Sequence, residues 1–206
     1  MQNDHSQIHN VDFAKAEATP PQIGHFCLIG DEQGGKNAIG KNAKIRSHSI
    51  IYGGNKIGDN FQTGHHVMIR ENNIIGNDVS VGSYSNIEHH VTIEDGVRIH
   101  SGCFIPEYCH LKKDCWIGPK VCFTNARYPR SKRVKDELKG AIVGENAKIG
   151  ANTTILPGIK IGKNVLIGAG SVITKDIPDD SVACGNPAKV VKKTSELFYE
   201  DGESVY

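Results

Sequence analysis

From Ile39 to Phe123 every sixth residue forms one series, Ile39, Ile45, Ile51, Ile57, Thr63, Ile69, Ile75, Val81, Ile87, Ile93, Ile99, Ile105, Leu111, Ile117 and Phe123, and fourteen of these fifteen are apolar. Two places before them stand small or β-branched residues such as Ala43, Ser49, Val67, Val79, Val91, Cys103 and Val121. A helix repeats its apolar face every three or four residues and a strand every two, so a period of six matches neither. It describes a short strand with two inward side chains, followed by a turn. Gly-Asp-Asn at 58–60, Gly-Asn-Asp at 76–78, Glu-Asp-Gly at 94–96 and Gly-Lys-Asn at 162–164 supply residues that accept left-handed backbone angles. Three such units close one triangular coil, and coils stacked at roughly 4.8 Å make a parallel β-helix with isoleucines inside.

The period stops after Phe123, skips nineteen residues and resumes at Val143, Ile149, Ile155, Ile161, Ile167 and Ile173. The pattern therefore predicts an all-β fold: a parallel β-helix of about seven coils with one long loop over 124–142. Residues 1–22 carry no period and are expected to form an N-terminal arm, residues 23–192 the helical domain, and 193–206 a tail whose Ser195–Glu200 stretch caps the open end as a short helix. A loop of that length inside a strict repeat is uncommon and usually functional.

Sorting the repeat by eighteen separates three corners. One is almost pure Gly, Asn, Asp and Lys, a solvated turn. The second holds His48, His65, His66, Tyr84, His100 and Ser101, then narrows to Gly118-Pro119, Gly150-Ala151 and Gly168-Ala169. The third holds Arg70, Glu71, Glu88, His89, His90 and Glu107, and the long loop leaves from it.

Composition narrows the field further. A formal charge of +1 gives no reason to expect nucleic acid as a partner. No apolar run is long enough to span a bilayer, so membrane insertion is not expected and a cytoplasmic setting is. Cys103, Cys109 and Cys115 fall on inward positions and read as small buried hydrophobes; no CxxC pair suggests a structural metal, and none is expected.

The hexads Ile57-Gly58-Asp59-Asn60-Phe61-Gln62 and Ile161-Gly162-Lys163-Asn164-Val165-Leu166 resemble those of the hexapeptide-repeat acyltransferases, over residues 37–192. The resemblance implies a left-handed β-helix, a homotrimer and acetyl-CoA as donor. Sugar O-acetyltransferases of the superfamily carry a base histidine just before a proline in the long loop, where this chain has Tyr128-Pro129. The run Phe123-Thr124-Asn125 with Tyr128-Pro129-Arg130-Ser131 instead resembles N-acetyltransferases of nucleotide-linked amino sugars in surface-polysaccharide (lipopolysaccharide or O-antigen) biosynthesis.

Acyl transfer needs a groove for the cofactor arm, an acceptor held against the thioester and a place for its proton. Gly150, Ala151, Gly168 and Ala169 would let a thin pantetheine chain lie on the backbone, with Lys175 and Lys189 near its phosphates. His100 is the expected catalytic acceptor of a proton and Asn125 the residue that positions the amine. His65, Ser101, Glu107, Arg127 and Arg130 are expected on the acceptor, the arginines suiting a nucleotide diphosphate or a uronate. The alternatives are a sugar O-acetyltransferase using His65 or His100 as base, a zinc trimer of the carbonic-anhydrase type and a non-catalytic scaffold.

Overall fold

Each coil lays three two-residue strands on three faces, as in Lys56–Ile57, Gln62–Thr63 and Met68–Ile69. Face 1 carries Ile39, Ile57, Ile75 and their equivalents, face 2 carries Ile45, Thr63 and Val81, and face 3 carries Ile51, Ile69 and Ile87. The computed structural model describes residues 5–13, 20–30 and 35–206, and in it the chain is a left-handed parallel β-helix of about nine coils. Among the described residues the three faces hold eight, ten and nine strands. Pairing is in register along the axis: Ile75 lies between Ile57 and Ile93, and Ile87 between Ile69 and Ile105. These side chains are at most 5% exposed.

Thr63, the one polar residue of the fifteen, has a structural role. Its Oγ1 accepts the Arg46 N–H at 2.9 Å, where neighbouring coils use a backbone carbonyl, as Gly64 N–H does with Val81. The buried hydroxyl is thereby satisfied inside an aliphatic stack. A second inward column carries an amide ladder in which Asn37 Oδ1 accepts from Asn55 N–H, Asn55 Oδ1 from Asn73 N–H and Asn73 Oδ1 from Val91 N–H, at 2.7–2.9 Å. The Nδ2 groups of Asn55 and Asn73 donate to the carbonyls of Tyr52 and Arg70.

Regular pairing begins earlier than the period suggests, which accounts for the extra coils. Gln7–Ile8 pairs with Leu28–Ile29, Val11–Phe13 with Asn37–Ile39, and Gln22–Ile23 with Lys44–Ile45. The steps from Phe13 to Ile23 and from Ile29 to Ile39 are ten residues where six would continue the series, so the repeat is hidden by short insertions. The remainder of the expected N-terminal arm, residues 1–4 and 14–19, lies outside the described residues.

The other end also differs from expectation. Instead of a helix, the cap is an antiparallel hairpin, Ser181–Gly185 with Ala188–Lys193, followed by a single 3-10 turn at Thr194–Glu196. Ser181–Gly185 pairs in parallel with Leu166–Ile167, so the hairpin satisfies the last open strand of face 2 with backbone partners that a helix cannot offer. Residues 124–141 leave the helix as an irregular loop with one 3-10 turn, Val134–Glu137. Its two ends are tied where Lys139 N–H donates to the Asn125 carbonyl at 2.9 Å.

Cys103, Cys109 and Cys115 are buried among the aliphatic rungs. Burial pushes their thiols up to about 11, 12 and 12, so they stay protonated at neutral pH and are not nucleophiles. Replacement of Asn55 by Ala leaves the Asn73 N–H and the Tyr52 carbonyl without partners in a dry interior. We expect a loss of about 2–4 kcal/mol, read as a lowered midpoint in urea denaturation.

Candidate acyl-transfer site

The three edges of the prism have different contacts. The edge between faces 1 and 2 is a solvated ladder in which Asp59, Asn77 and Asp95 accept backbone N–H groups from the coil below.

The edge between faces 3 and 1 carries a continuous chain of charged and polar contacts over five coils. Arg70 lies over the Tyr52 ring, 5.2 Å from its centroid, and pairs with Glu71 at 2.8 Å and Glu88 at 3.4 Å. The hydrogen bond from Arg70 holds the Glu71 carboxyl below its ordinary range, and the reciprocal bond raises Arg70. Above them His89 Nε2 is 3.5 Å from Glu107 Oε1, and Asn125 Nδ2 donates to Glu107 Oε2 at 2.6 Å. His89 Nδ1 is 2.8 Å from His90 Nδ1, so one ring nitrogen donates and the other accepts. Glu107 and Asn125 are two of the residues singled out by the sequence. His89, on the same edge in sequence, is brought to them by the stacking of coils eighteen residues apart.

The edge between faces 2 and 3 carries His65, His100, Ser101, Gly150, Ala151, Gly168 and Ala169. His65 is exposed, and its N–H donates to Ser83 Oγ at 2.9 Å. Beside it on face 2 runs a shallow trough floored by Gly64, Ser80 and Gly82, with Arg46 at one end and Arg98 and His100 at the other. His100 packs on Trp116, ring centroids 4.6 Å apart. Its Nε2 is buried and has no hydrogen-bond partner among the described residues. Desolvation, and to a lesser degree Arg98, hold its pKa below 6.5.

The residues expected on the cofactor differ in their surroundings. A Cβ on Gly150 would lie 2.6 Å from the Ile167 carbonyl oxygen, and one on Gly168 would lie 2.8 Å from Cys184 Cβ. Those glycines are required by the close approach of the neighbouring backbone and side chain, and Ala151, Ala169 and Gly170 occupy the corner positions beside them. Lys189 sits opposite Cys184 in the hairpin, next to Gly168. Lys175 lies elsewhere: it is the second corner residue after Val172–Ile173 of face 3, in the column of Glu107 and Asn125. Arg127 and Arg130 are exposed on the loop, Arg127 5.8 Å from the centroid of the Tyr128 ring. The expected site residues thus fall on two edges separated by the whole of face 3, and one chain does not bring His100 to Asn125. Among the described residues no group of three or more His, Cys, Asp or Glu side chains is placed to hold a metal ion, and no helix is long and apolar enough to cross a membrane.

Such coils of six-residue repeats define a class, the hexapeptide β-helices. The signature of the family described as bacterial transferase hexapeptide (six repeats) matches residues 74–107 and 140–175. A curated relative, galactoside O-acetyltransferase of Lactococcus lactis subsp. lactis (strain IL1403), is 35% identical over 96 residues, 43% of this chain and 46% of its own. The acetyltransferase domain of PglB from Neisseria gonorrhoeae FA1090 superposes with a TM-score of 0.53 at 25% identity over 61% of this chain and 54% of that one. UDP-N-acetylglucosamine acyltransferase from Campylobacter jejuni shares the fold, with a TM-score of 0.53 at 23% identity over 95% of this chain and 79% of that one. The chain spans about half the length of the curated relatives it matches, 54% and 46% for the first two. Residues 74–107 and 140–175 of this chain thus carry the repeat of that family, and the remainder is compared with it by fold alone.

A histidine held neutral by burial makes the fold sensitive to acid. The unfolded chain binds a proton at His100 near pH 6.5 while the folded chain does not until lower pH, so stability falls as pH drops through that window. We expect the wild-type melting temperature to decline between about pH 7 and 5 more steeply than that of His100→Gln.

Proposed function

We propose that the protein is an acetyl-CoA-dependent N-acetyltransferase whose acceptor is the amine of a nucleotide-linked amino sugar. The observation that carries this reading is the cluster at the root of the loop. A carboxylate, Glu107, binds Asn125 on one oxygen and lies against His89 on the other, which is the arrangement of an imidazole oriented by a second group. The proton-accepting role is placed on His89 rather than His100, whose ring packs on Trp116 with its Nε2 buried.

Acetyl-CoA supplies an activated acyl carbon with a thiol leaving group. Ala151, Ala169, Gly170 and Lys189 would line its arm. The acceptor amine, delivered neutral, forms the new C–N bond as the C–S bond breaks. Asn125 holds the amine, the hydrogen-bonded His89–His90 pair takes its proton through the exposed His90 ring, and that proton is available to the departing thiolate. A hydroxyl acceptor would demand a stronger base than this, and the loop offers Tyr128 where a histidine would stand. An amine is therefore favoured over the hydroxyl used by the Lactococcus relative.

The complete site is proposed to form between copies of a homotrimer, since the cofactor edge and the Glu107–Asn125 edge of one chain face different directions. Six of the nine outward positions of face 3 among the described residues are apolar, Leu28, Ile50, Met68, Phe104, Cys122 and Val172, while face 2 presents Lys44, Arg98 and Lys148. Face 3 is the one that gains from contact with a neighbour. We place the enzyme in the cytoplasm, in the synthesis of a surface polysaccharide.

Release of free thiol from acetyl-CoA, followed against a panel of amino and hydroxy nucleotide sugars, tests this. We expect turnover with an amino sugar, roughly 10²-fold lower rates for His89→Asn, and a smaller loss for Glu107→Gln. Equal rates with hydroxy sugars would overturn the N-acyl assignment, and a near-normal His89→Asn would remove that residue from proton transfer.

A further inference from the structure

Five rings stack along the edge between faces 2 and 3 in the first coils. His5 lies on Phe26, Phe26 on His48, His48 on His66 and His66 on Tyr84, with centroids 4.7–5.2 Å apart and planes within 14° of parallel. Phe26, His48, His66 and Tyr84 all have φ between 56° and 62°, the same left-handed corner position in successive coils. Backbone geometry and not sequence proximity therefore sets the spacing: rings at this position are carried at the rise of the coils, roughly 4.8 Å. The ladder ends at Tyr84, which is 68% exposed. In the next coil the position is Gly102, with φ 73°, and a Cβ placed there would meet only Lys120 Cγ, at 3.4 Å. Lys120, φ 58°, occupies the position one coil further on. One rung is missing between a phenol ring and an ammonium, two coil rises or roughly 9.6 Å apart.

We propose that this gap is the seat of the nucleobase of the acceptor. A planar heterocycle has the shape of the missing rung: one face stacks on Tyr84 and the other meets the Lys120 side chain. Arg98 and Ser101, on the neighbouring face and column at and just before the Gly102 coil, offer charge and a hydrogen-bond donor for the attached diphosphate. This rests on the nucleotide-sugar reading above and adds to it the residues that read the base. Gly102 and Glu107 belong to one coil, so the gap lies at the height of the Glu107–Asn125 pair. A nucleotide sugar seated here on one subunit would reach the amine-holding cluster of a neighbour whose coils are level with its own. The coenzyme's adenine is a poorer occupant, since Ala151, Ala169 and Lys189 place its arm two to four coils higher.

Gly102 permits a direct test, because its backbone already has the conformation at which the chain carries His66 and Tyr84. Gly102→Tyr would extend the ladder by one rung and fill the gap from within the chain. Calorimetric titration with UDP, dTDP and GDP should show binding of at least one to wild type. The same nucleotide should bind about 10-fold more weakly to Tyr84→Ala and lose measurable binding to Gly102→Tyr, with circular dichroism and melting temperature of both variants unchanged. Inorganic pyrophosphate should bind Tyr84→Ala and wild type alike. Coenzyme A should bind all three proteins equally. The proposal is overturned if no nucleoside diphosphate binds at millimolar concentration, if Tyr84→Ala and Gly102→Tyr bind as wild type does, or if they lose coenzyme A instead. It is also overturned if nucleotides bind only after Tyr128→Ala, which would show that a neighbour's loop supplies the missing ring. Tyr84-dependent nucleotide binding without thiol release from acetyl-CoA would refute the acetyltransferase reading and leave the base seat standing.

Discussion

The structure depends on one hydrogen-bond rule: an N–H in one coil donates to a carbonyl about eighteen residues away in the next, on all three faces. Because the strands are only two residues long, no single pairing is strong, and cooperativity comes from their continuation through about nine coils. The rule also fixes what stacks. Any residue is held one coil rise from its counterpart eighteen positions on, so isoleucines form the core, asparagines form an amide ladder and outward rings form a pile. Chemistry in this protein is consequently organised in columns, and a site is a set of neighbouring columns at one height.

The same rule explains the exceptions. Thr63 is tolerated in an aliphatic column because its hydroxyl takes the place of a carbonyl in the ladder. Six of the eight residues in the column of Arg46 and His100 are glycine, because the following coil passes close to their Cα atoms. His100 must therefore fold its ring across Trp116 into a desolvated position. The corner and neighbours of His100 are those that counting by eighteen assigns, and the packing of its column buries Nε2.

Columns further divide the labour between edges. The edge that bears the loop holds Glu107, Asn125 and His89 in mutual contact, and the edge that bears the small residues holds the trough and the ring ladder. Face 3, with six of its nine outward positions apolar among the described residues, lies between them. In the homotrimer proposed above, the loop edge of one subunit would complete the groove edge of another.

The hexad alone determined the core, the turns, the position of the interruption and the parallel stacking, because a period of six leaves no other regular way to bury two residues in every six. It also marked Glu107 and Asn125 as one column, a matter of counting by eighteen. Only the tertiary structure decided that Ile23 and Ile29 continue the stack across ten-residue steps, that the cap is a hairpin, and that Lys175 belongs to a different edge from Lys189. It likewise decided that Nε2 of His100 is buried. These depend on irregular insertions and on side-chain rotation within a column, neither of which is encoded in the spacing of residues along the chain.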